Sequence, residues 1–330
     1  MTTADQEHPT GFATMERAAL CVPHLNTSCQ VMPATPKVTL IKSVLCCIAL
    51  LTVILNLLVV ISISHFRQLH TPTNFLILSL AVSDLLVGAT VMPIAVDLQF
   101  CWFRRKVTCD LFFLSSFILT SASVGNMVLI TVDRYVAICK PLLYSSLITM
   151  SRVTICVCLC WICSVLYSFV MLKDHFVLTD MSNSCYQECA TNIHFISGTV
   201  DLIVTFFVPV TVISVFVVAV SHARVIRSQI GSVKSKAVVI KKSELRAATS
   251  LGIVVLVFVL CIAPCYWISP PEQGSSSANS SPQSWVFLCN STFNPLIYAF
   301  SYPWFRRAVS LIVSLQILQP GSRDTKVMKS

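Results

Sequence analysis

His194-Phe-Ile-Ser-Gly-Thr-Val-Asp-Leu-Ile-Val-Thr-Phe-Phe-Val-Pro209 is apolar enough to dissolve in lipid, yet it carries one acid, Asp201, in its middle. A bare carboxylate at bilayer depth costs roughly 2.5 to 3.5 kcal/mol on insertion scales, so it calls for a cation, a proton path or a polar partner on a neighbouring helix. The rest of the chain decides whether the run lies in a bilayer at all. Of 330 residues 55% are hydrophobic and 11% charged, and the mean hydropathy is +0.79, which excludes an ordinary soluble globule. Seven stretches are long enough to cross a hydrocarbon core of about 30 Å as helices: 40–64, 75–96, 109–138, 153–172, 194–220, 246–268 and 284–301. The loops between them are short, so the expected fold is all-α, one bundle of seven spanning helices. Its expected organisation is an extracellular segment over 1–39, the helical domain over 40–301, and an amphipathic helix with a cytoplasmic tail over 302–330.

Charge sets the expected orientation. Sixteen of the 23 Lys and Arg residues fall on one side of the spans, among them Arg67, Arg134, Lys140, Arg152, the 224–246 cluster, Arg306 and Arg307, and that side reads as the cytoplasm. The N-terminus is then outside, at the plasma membrane, and the net charge of +9 belongs to the inner face rather than to a nucleic-acid surface. Residues 1–39 show no basic start followed by an apolar core, so the first span is expected to act as an uncleaved signal. Of 16 cysteines, Cys21, Cys29, Cys101, Cys109, Cys185 and Cys189 lie on the oxidising side, and the others read as small buried hydrophobes. Asn26-Thr27-Ser28 and Asn279-Ser280-Ser281 are glycosylation sequons on that same side. Asn290-Ser291-Thr292 matches too, but lies within a span and is expected to stay unmodified.

Polar side chains recur at membrane depth where a purely structural bundle would have few: Asn56, Asp84, Ser123, Asn290, Ser291 and Asn294. Their amides and hydroxyls around Asp84 could form a hydrated pocket for sodium or a purely structural network. At the inner end of the third span stands Asp133-Arg134-Tyr135, an arginine that its adjacent acid, or Glu244 at the foot of the sixth span, can hold and release. Near the inner end of the seventh span is Asn294-Pro295-Leu-Ile-Tyr298. Here proline breaks the hydrogen-bond ladder, and Asn294 is expected to satisfy the freed groups or water, leaving a joint that bends. Pro209 and Pro264 weaken the fifth and sixth spans in the same manner.

Together Asn56, Asp84, Asp133-Arg134-Tyr135, Trp161, Pro209, Pro264 and Asn294-Pro295-Xaa-Xaa-Tyr298 resemble the rhodopsin class of G-protein-coupled receptors over almost the whole chain. The stretches 64–74 and 290–306, above all Tyr302-Pro303-Trp304-Phe305-Arg306, resemble the trace amine-associated receptors, particularly their fish-type branch. The resemblance implies a receptor that binds small amines from outside, swings its sixth helix and engages a heterotrimeric G protein, in most members as an olfactory receptor coupled to cyclic AMP. It also implies disulfides from Cys109 to Cys189 and from Cys21 to Cys185, and a short amphipathic helix over 302–316. That helix is expected to turn Trp304, Phe305, Leu311 and Ile312 to lipid and Arg306 and Arg307 to headgroups. No cysteine follows Cys289, so a palmitoylated tail is not expected.

Amine receptors of this class place their ammonium-binding aspartate on the third helix, seven residues after the disulfide cysteine. Here that position is Ser116, whether counted from Cys109 or back from Arg134. Asp201 lies eight residues before Pro209, about 12 Å along the helix, at a height that suits the ligand pocket. The fish-type branch carries an acid at this place, so the expected ammonium site is Asp201, a single carboxylate favouring one ammonium. Asp110 lies nearer the mouth. Candidate walls are Phe117, Thr120, Thr205, Phe206, Tyr266 and Trp285, with aromatic faces worth about 0.5 to 2 kcal/mol each to a cation.

Several positions depart from the class: Ile262 where a tryptophan pivot is usual, Val217 and Leu288 where tyrosines are usual, Leu55 for glycine, and a polar stretch over 270–283. These leave a diverged receptor with a non-amine ligand, or with impaired signalling, as the alternative. A membrane carrier would show inverted repeats, and none is visible. An enzyme would need a nucleophile with its base or a ligand set, and the seven histidines are scattered.

Overall fold

The computed structural model describes residues 35–100, 106–181, 190–191, 195–212, 214–215, 218, 253, 256–264, 276–277 and 282–327. Helix α1 (Pro36–His65) begins where Thr35 accepts a hydrogen bond from the Val38 amide at 3.4 Å, with proline in the first turn where its missing N–H costs nothing. Helix α2 (Pro72–Leu86) uses the same device, Thr71 accepting from the Asn74 amide at 3.3 Å. It passes through a wide π turn (Val87–Val91) into α3 (Met92–Phe100). Then come α4 (Lys106–Cys139), the short α5 (Tyr144–Leu147), α6 (Met150–Met181) and α7 (Phe195–Leu202). A second π turn (Ile203–Phe207) continues α7, and helical residues follow at 208–212 and 256–264. The chain closes with α8 (Pro282–Ser301) and α9 (Pro303–Val313).

Both π turns end just before a proline, Pro93 and Pro209. Proline has no N–H for the carbonyl four residues back, so the helix widens there instead of closing an α turn. Gly88 lets the first of these turns approach α1: a Cβ at Gly88 would stand 3.0 Å from Thr52 Cγ2.

Among the described residues four helices are long and apolar enough to cross a membrane, Pro36–His65, Pro72–Leu98, Val107–Cys139 and Met150–Lys173, and Gly198–Val212 is a shorter apolar helix. The principal packing partners are α4 with α6, α1 with α2, α2 with α4, and α1 with α8. Their contacts form two buried clusters. One lies at the Arg134 end around Phe66, Leu69, Leu80, Met127, Ile130 and Tyr298; the other lies at the Cys109 end around Met92, Val96, Phe113, Leu172, Trp285 and Leu288. Outside them Leu50, Ile54, Leu159, Ile162 and Leu166 stand exposed on α1 and α6, an apolar skin that lipid would cover.

Two expectations are corrected. Trp304 and Phe305 do not turn to lipid: they are 8% and 2% exposed and pack into the Arg134-end cluster, because Pro303 starts α9 immediately after α8 and folds it back under the bundle. Cys46, Cys47, Cys156, Cys158 and Cys163 are exposed, not buried, since α1 and α6 are outer helices and a thiol is apolar enough to face lipid. The tail packs back on the bundle, a feature outside the expectations. Val327 is 2% exposed in the core, its amide donates to Gln68 Oε1 at 3.1 Å, and Ser322 Oγ lies 3.0 Å from His65 Nε2.

Candidate functional site

Three polar layers interrupt the apolar bundle. In the central one Asp84 is fully buried; Asn294 Nδ2 donates to its Oδ2 at 2.7 Å and Ser123 Oγ to its Oδ1 at 3.4 Å, with Ser83 Oγ 3.0 Å from Ser123 Oγ. Asn294 was expected to serve the carbonyl freed by Pro295; it serves Asp84 instead. The carbonyl without a ladder donor is that of Ser291, four residues before the proline, and Asn56 Nδ2 donates to it from α1 at 2.9 Å. Asn56 also donates to Thr52 O at 3.0 Å, and Thr52 Oγ1 lies 2.6 Å from Thr292 Oγ1. Helices α1, α2, α4 and α8 are thus cross-linked through side chains at mid-depth. The side-chain oxygens of Asn56, Asn290 and Asn294 are buried acceptors with no donor among the described residues.

At the Arg134 end, Asp133 is 2% exposed and receives Arg134 Nε at 2.9 Å, Thr73 Oγ1 at 2.9 Å and Tyr144 Oη at 2.9 Å. Arg134 Nη2 donates to Asp133 and to Thr73. The arginine is held by its neighbouring acid, while Glu244, the other expected partner, lies outside the described residues. Burial pushes the Tyr144 phenol above its ordinary range, with Asp133 acting in the same direction, so Tyr144 remains a protonated donor at physiological pH. Tyr135 packs against the same cluster, and Tyr298 is buried with its ring edge-on to Tyr302 at 6.0 Å.

Toward the Cys109 end, a narrow cavity of about 20 Å³, room for one water molecule, is lined by Ser116 and Thr120 of α4, Phe258, and Phe287 and Leu288 of α8. Its floor is Ser123, Asn290 and Ser291, so it opens onto the Asp84 layer. The Ser116 hydroxyl donates to Phe112 O of its own helix at 2.6 Å. Ile262, in the place where a tryptophan was expected, is 1% exposed in the core.

Asp201 does not line this cavity. The half-buried carboxylate lies between the fourth and fifth spans, where Tyr167 Oη of α6 donates to its Oδ1 at 2.8 Å. Thr205 is buried, with Oγ1 donating to the Asp201 carbonyl, and Phe206 packs against the Arg134-end cluster. Phe117 and Trp285 belong with the Cys109-end cluster, and Asp110 is half-buried near the start of α4. The structure therefore brings together Ser116 and Thr120, and separately Asp201 and Thr205, but puts neither Phe117 nor Trp285 on the cavity wall. Tyr266, Cys21, Cys185, Cys189, Asn26 and the Val217 side chain lie outside the described residues. Tyr167 was missed. Its signal was a face shared with Ser164, three residues back, in a span whose neighbour carries a lone acid.

Residues 55–298 match the family model described as the 7 transmembrane receptor (rhodopsin family). The chain belongs to the rhodopsin family of seven-transmembrane receptors. It is similar to trace amine-associated receptor 13c of Danio rerio, 35% identical over 326 residues, covering 92% of this chain and 94% of the relative. It is 36% identical to trace amine-associated receptor 7e of Rattus norvegicus, covering 93% and 92% of the two chains, and 32% identical to trace amine-associated receptor 1 of Mus musculus, covering 86% and 92%. The chain is thus a multi-pass membrane receptor related to trace amine receptors, not an enzyme, and its family implies an activating ligand and a G-protein partner.

Proposed function

We propose that this receptor binds small amines through Asp201 and signals through a heterotrimeric G protein of the stimulatory, cyclic AMP-raising branch, as an olfactory receptor of the plasma membrane with its N-terminus outside. The observation that carries the reading is an ionisable carboxylate in the fifth span, kept in place by the Tyr167 hydrogen bond, in a chain whose third-helix acid is replaced by Ser116. A protonated amine is a counter-ion for a carboxylate retained at membrane depth. Thr205 and Phe206 stand within one turn or so of Asp201, and Phe117, Thr120, Tyr266 and Trp285 complete the walls once a ligand spreads the bundle.

The remaining assignments follow the same frame. Cys109 is disulfide-bonded, which supports a bridge to Cys189, with Cys21 to Cys185 as the second. Asn26 carries the glycan. Sodium sits at Asp84 with Ser123, Asn290, Ser291 and Asn294, and its departure, with release of Arg134 from Asp133 or Glu244 and bending at Pro295, opens the inner face to the G protein. The amphipathic α9 rests beside the inner leaflet.

The test exposes cells bearing the receptor to alkylamines and to alcohols of the same length and reads cyclic AMP against surface expression. Amines are expected to raise it and the alcohols to do nothing. A well-expressed receptor answering the alcohols equally would replace the reading with a diverged receptor for a neutral ligand, in keeping with the aliphatic Ile262 and Leu288.

A further inference from the structure

We propose that Tyr167 is the second half of the ammonium site and makes the receptor select primary over tertiary amines; this rests on Asp201 being the ammonium partner. The phenol donates its one hydrogen to Asp201 Oδ1 at 2.8 Å, so its oxygen can serve a ligand only as an acceptor. A nitrogen that approaches Asp201 Oδ1 from the tyrosine's side can lie within reach of Tyr167 Oη as well, because the two oxygens are themselves one hydrogen bond apart. Ser164 donates to Cys160 O at 2.8 Å, Ser168 to Ser164 O at 2.7 Å, and Thr205 to the Asp201 backbone carbonyl.

The number of N–H groups on the ligand then decides affinity. A primary ammonium has three and can give one to the carboxylate and one to the phenol oxygen. A tertiary ammonium has one, gives it to the stronger acceptor, Asp201, and meets the tyrosine through its ring face alone. The phenol oxygen, which a tertiary ammonium leaves without a donor, is not rescued by solvent in a medium without water, so the contrast survives in binding. A π turn over Ile203–Phe207 begins two residues after Asp201.

The test uses hexylamine, N-methylhexylamine and N,N-dimethylhexylamine, read by amine-dependent thermal stabilisation of the purified full-length receptor, which needs no G protein. Wild type is expected to bind them in the order primary, secondary, tertiary. In Tyr167→Phe, which keeps the ring, the primary-to-tertiary affinity ratio is expected to fall about tenfold. The ratio is taken within one variant, so a general loss of fold or yield cancels. An unchanged ratio in Tyr167→Phe, with all binding lost in Asp201→Asn, would remove Tyr167 and leave Asp201 standing. Retained binding in Asp201→Asn would remove the underlying reading instead. A wild-type preference for the tertiary amine overturns the proposal even without a variant.

Discussion

The contact between Asn56 and the Ser291 carbonyl shows how one residue can settle what a proline disturbs. Pro295 cannot donate to Ser291 O, and at membrane depth no water is at hand, so the amide of Asn56 supplies the hydrogen at 2.9 Å from another helix. Asn56→Ala leaves that carbonyl buried and unpaired, a cost of about 1–3 kcal/mol. The purified receptor should melt several degrees lower. Adding Pro295→Ala restores the missing backbone N–H, so the double variant should recover part of the loss; strictly additive losses in the cycle would contradict the assignment. The sequence already marked Asn294-Pro295 as a joint and Asn56 and Asp84 as buried polar positions. It could not assign donors to acceptors, because Asn56 and Ser291 stand 235 residues apart and either amide could serve the freed carbonyl. The same limit hid Tyr167: a tyrosine in an apolar helix looks like packing until a second helix places a carboxylate against its hydroxyl.

At the scale of elements, α9 and the tail are held by burial more than by charge. The Arg67–Asp324 pair, 3.4 Å apart, has side chains 69% and 67% exposed and is worth at most about 1 kcal/mol. Val327, 2% exposed among the residues of the Arg134-end cluster, contributes about 1.5–3 kcal/mol by leaving solvent. Limited proteolysis after Val327→Asp should release the tail early, whereas Asp324→Ala should leave the cleavage rate nearly unchanged. Equal effects would mean that the ion pair, not the valine, fastens the segment. Arg306 Nη1 meanwhile donates to the last carbonyls of α8, Ala299 O at 2.8 Å and Phe300 O at 3.0 Å, so the basic residue expected at lipid headgroups also caps a helix. The amphipathic pattern located α9 correctly, but periodicity cannot tell a face turned to lipid from one turned to protein, since both are apolar. The polar stretch over 270–283 was equally opaque; Ser276 and Ser277 pair antiparallel with Thr191 and Ala190, joining the segment before the seventh span to the one beside Cys189.

Over the whole molecule the membrane class was legible from composition and span length alone, because nothing else explains seven apolar runs separated by short polar loops. The layered arrangement was legible only in part. Asp84, Ser123 and Asn294 meet as expected, and Arg134 is held by Asp133, yet Asp201 faces α6 instead of the cavity that reaches Ser116. Helix rotation decides this, and a π turn beside Asp201 shifts the register in a way that spacing rules for an ideal helix do not follow. Asp133→Asn removes the charge facing Arg134 and should raise signalling without ligand, measured as basal cyclic AMP per receptor at the surface; an unchanged basal level would mean that the Asp133 charge does not hold the inactive state. The most direct measurement of all is the amine concentration–response of Asp201→Asn, normalised to surface expression. The expected result is a potency loss of at least about 30-fold with normal trafficking. Full potency in that variant would contradict Asp201 as the ammonium partner.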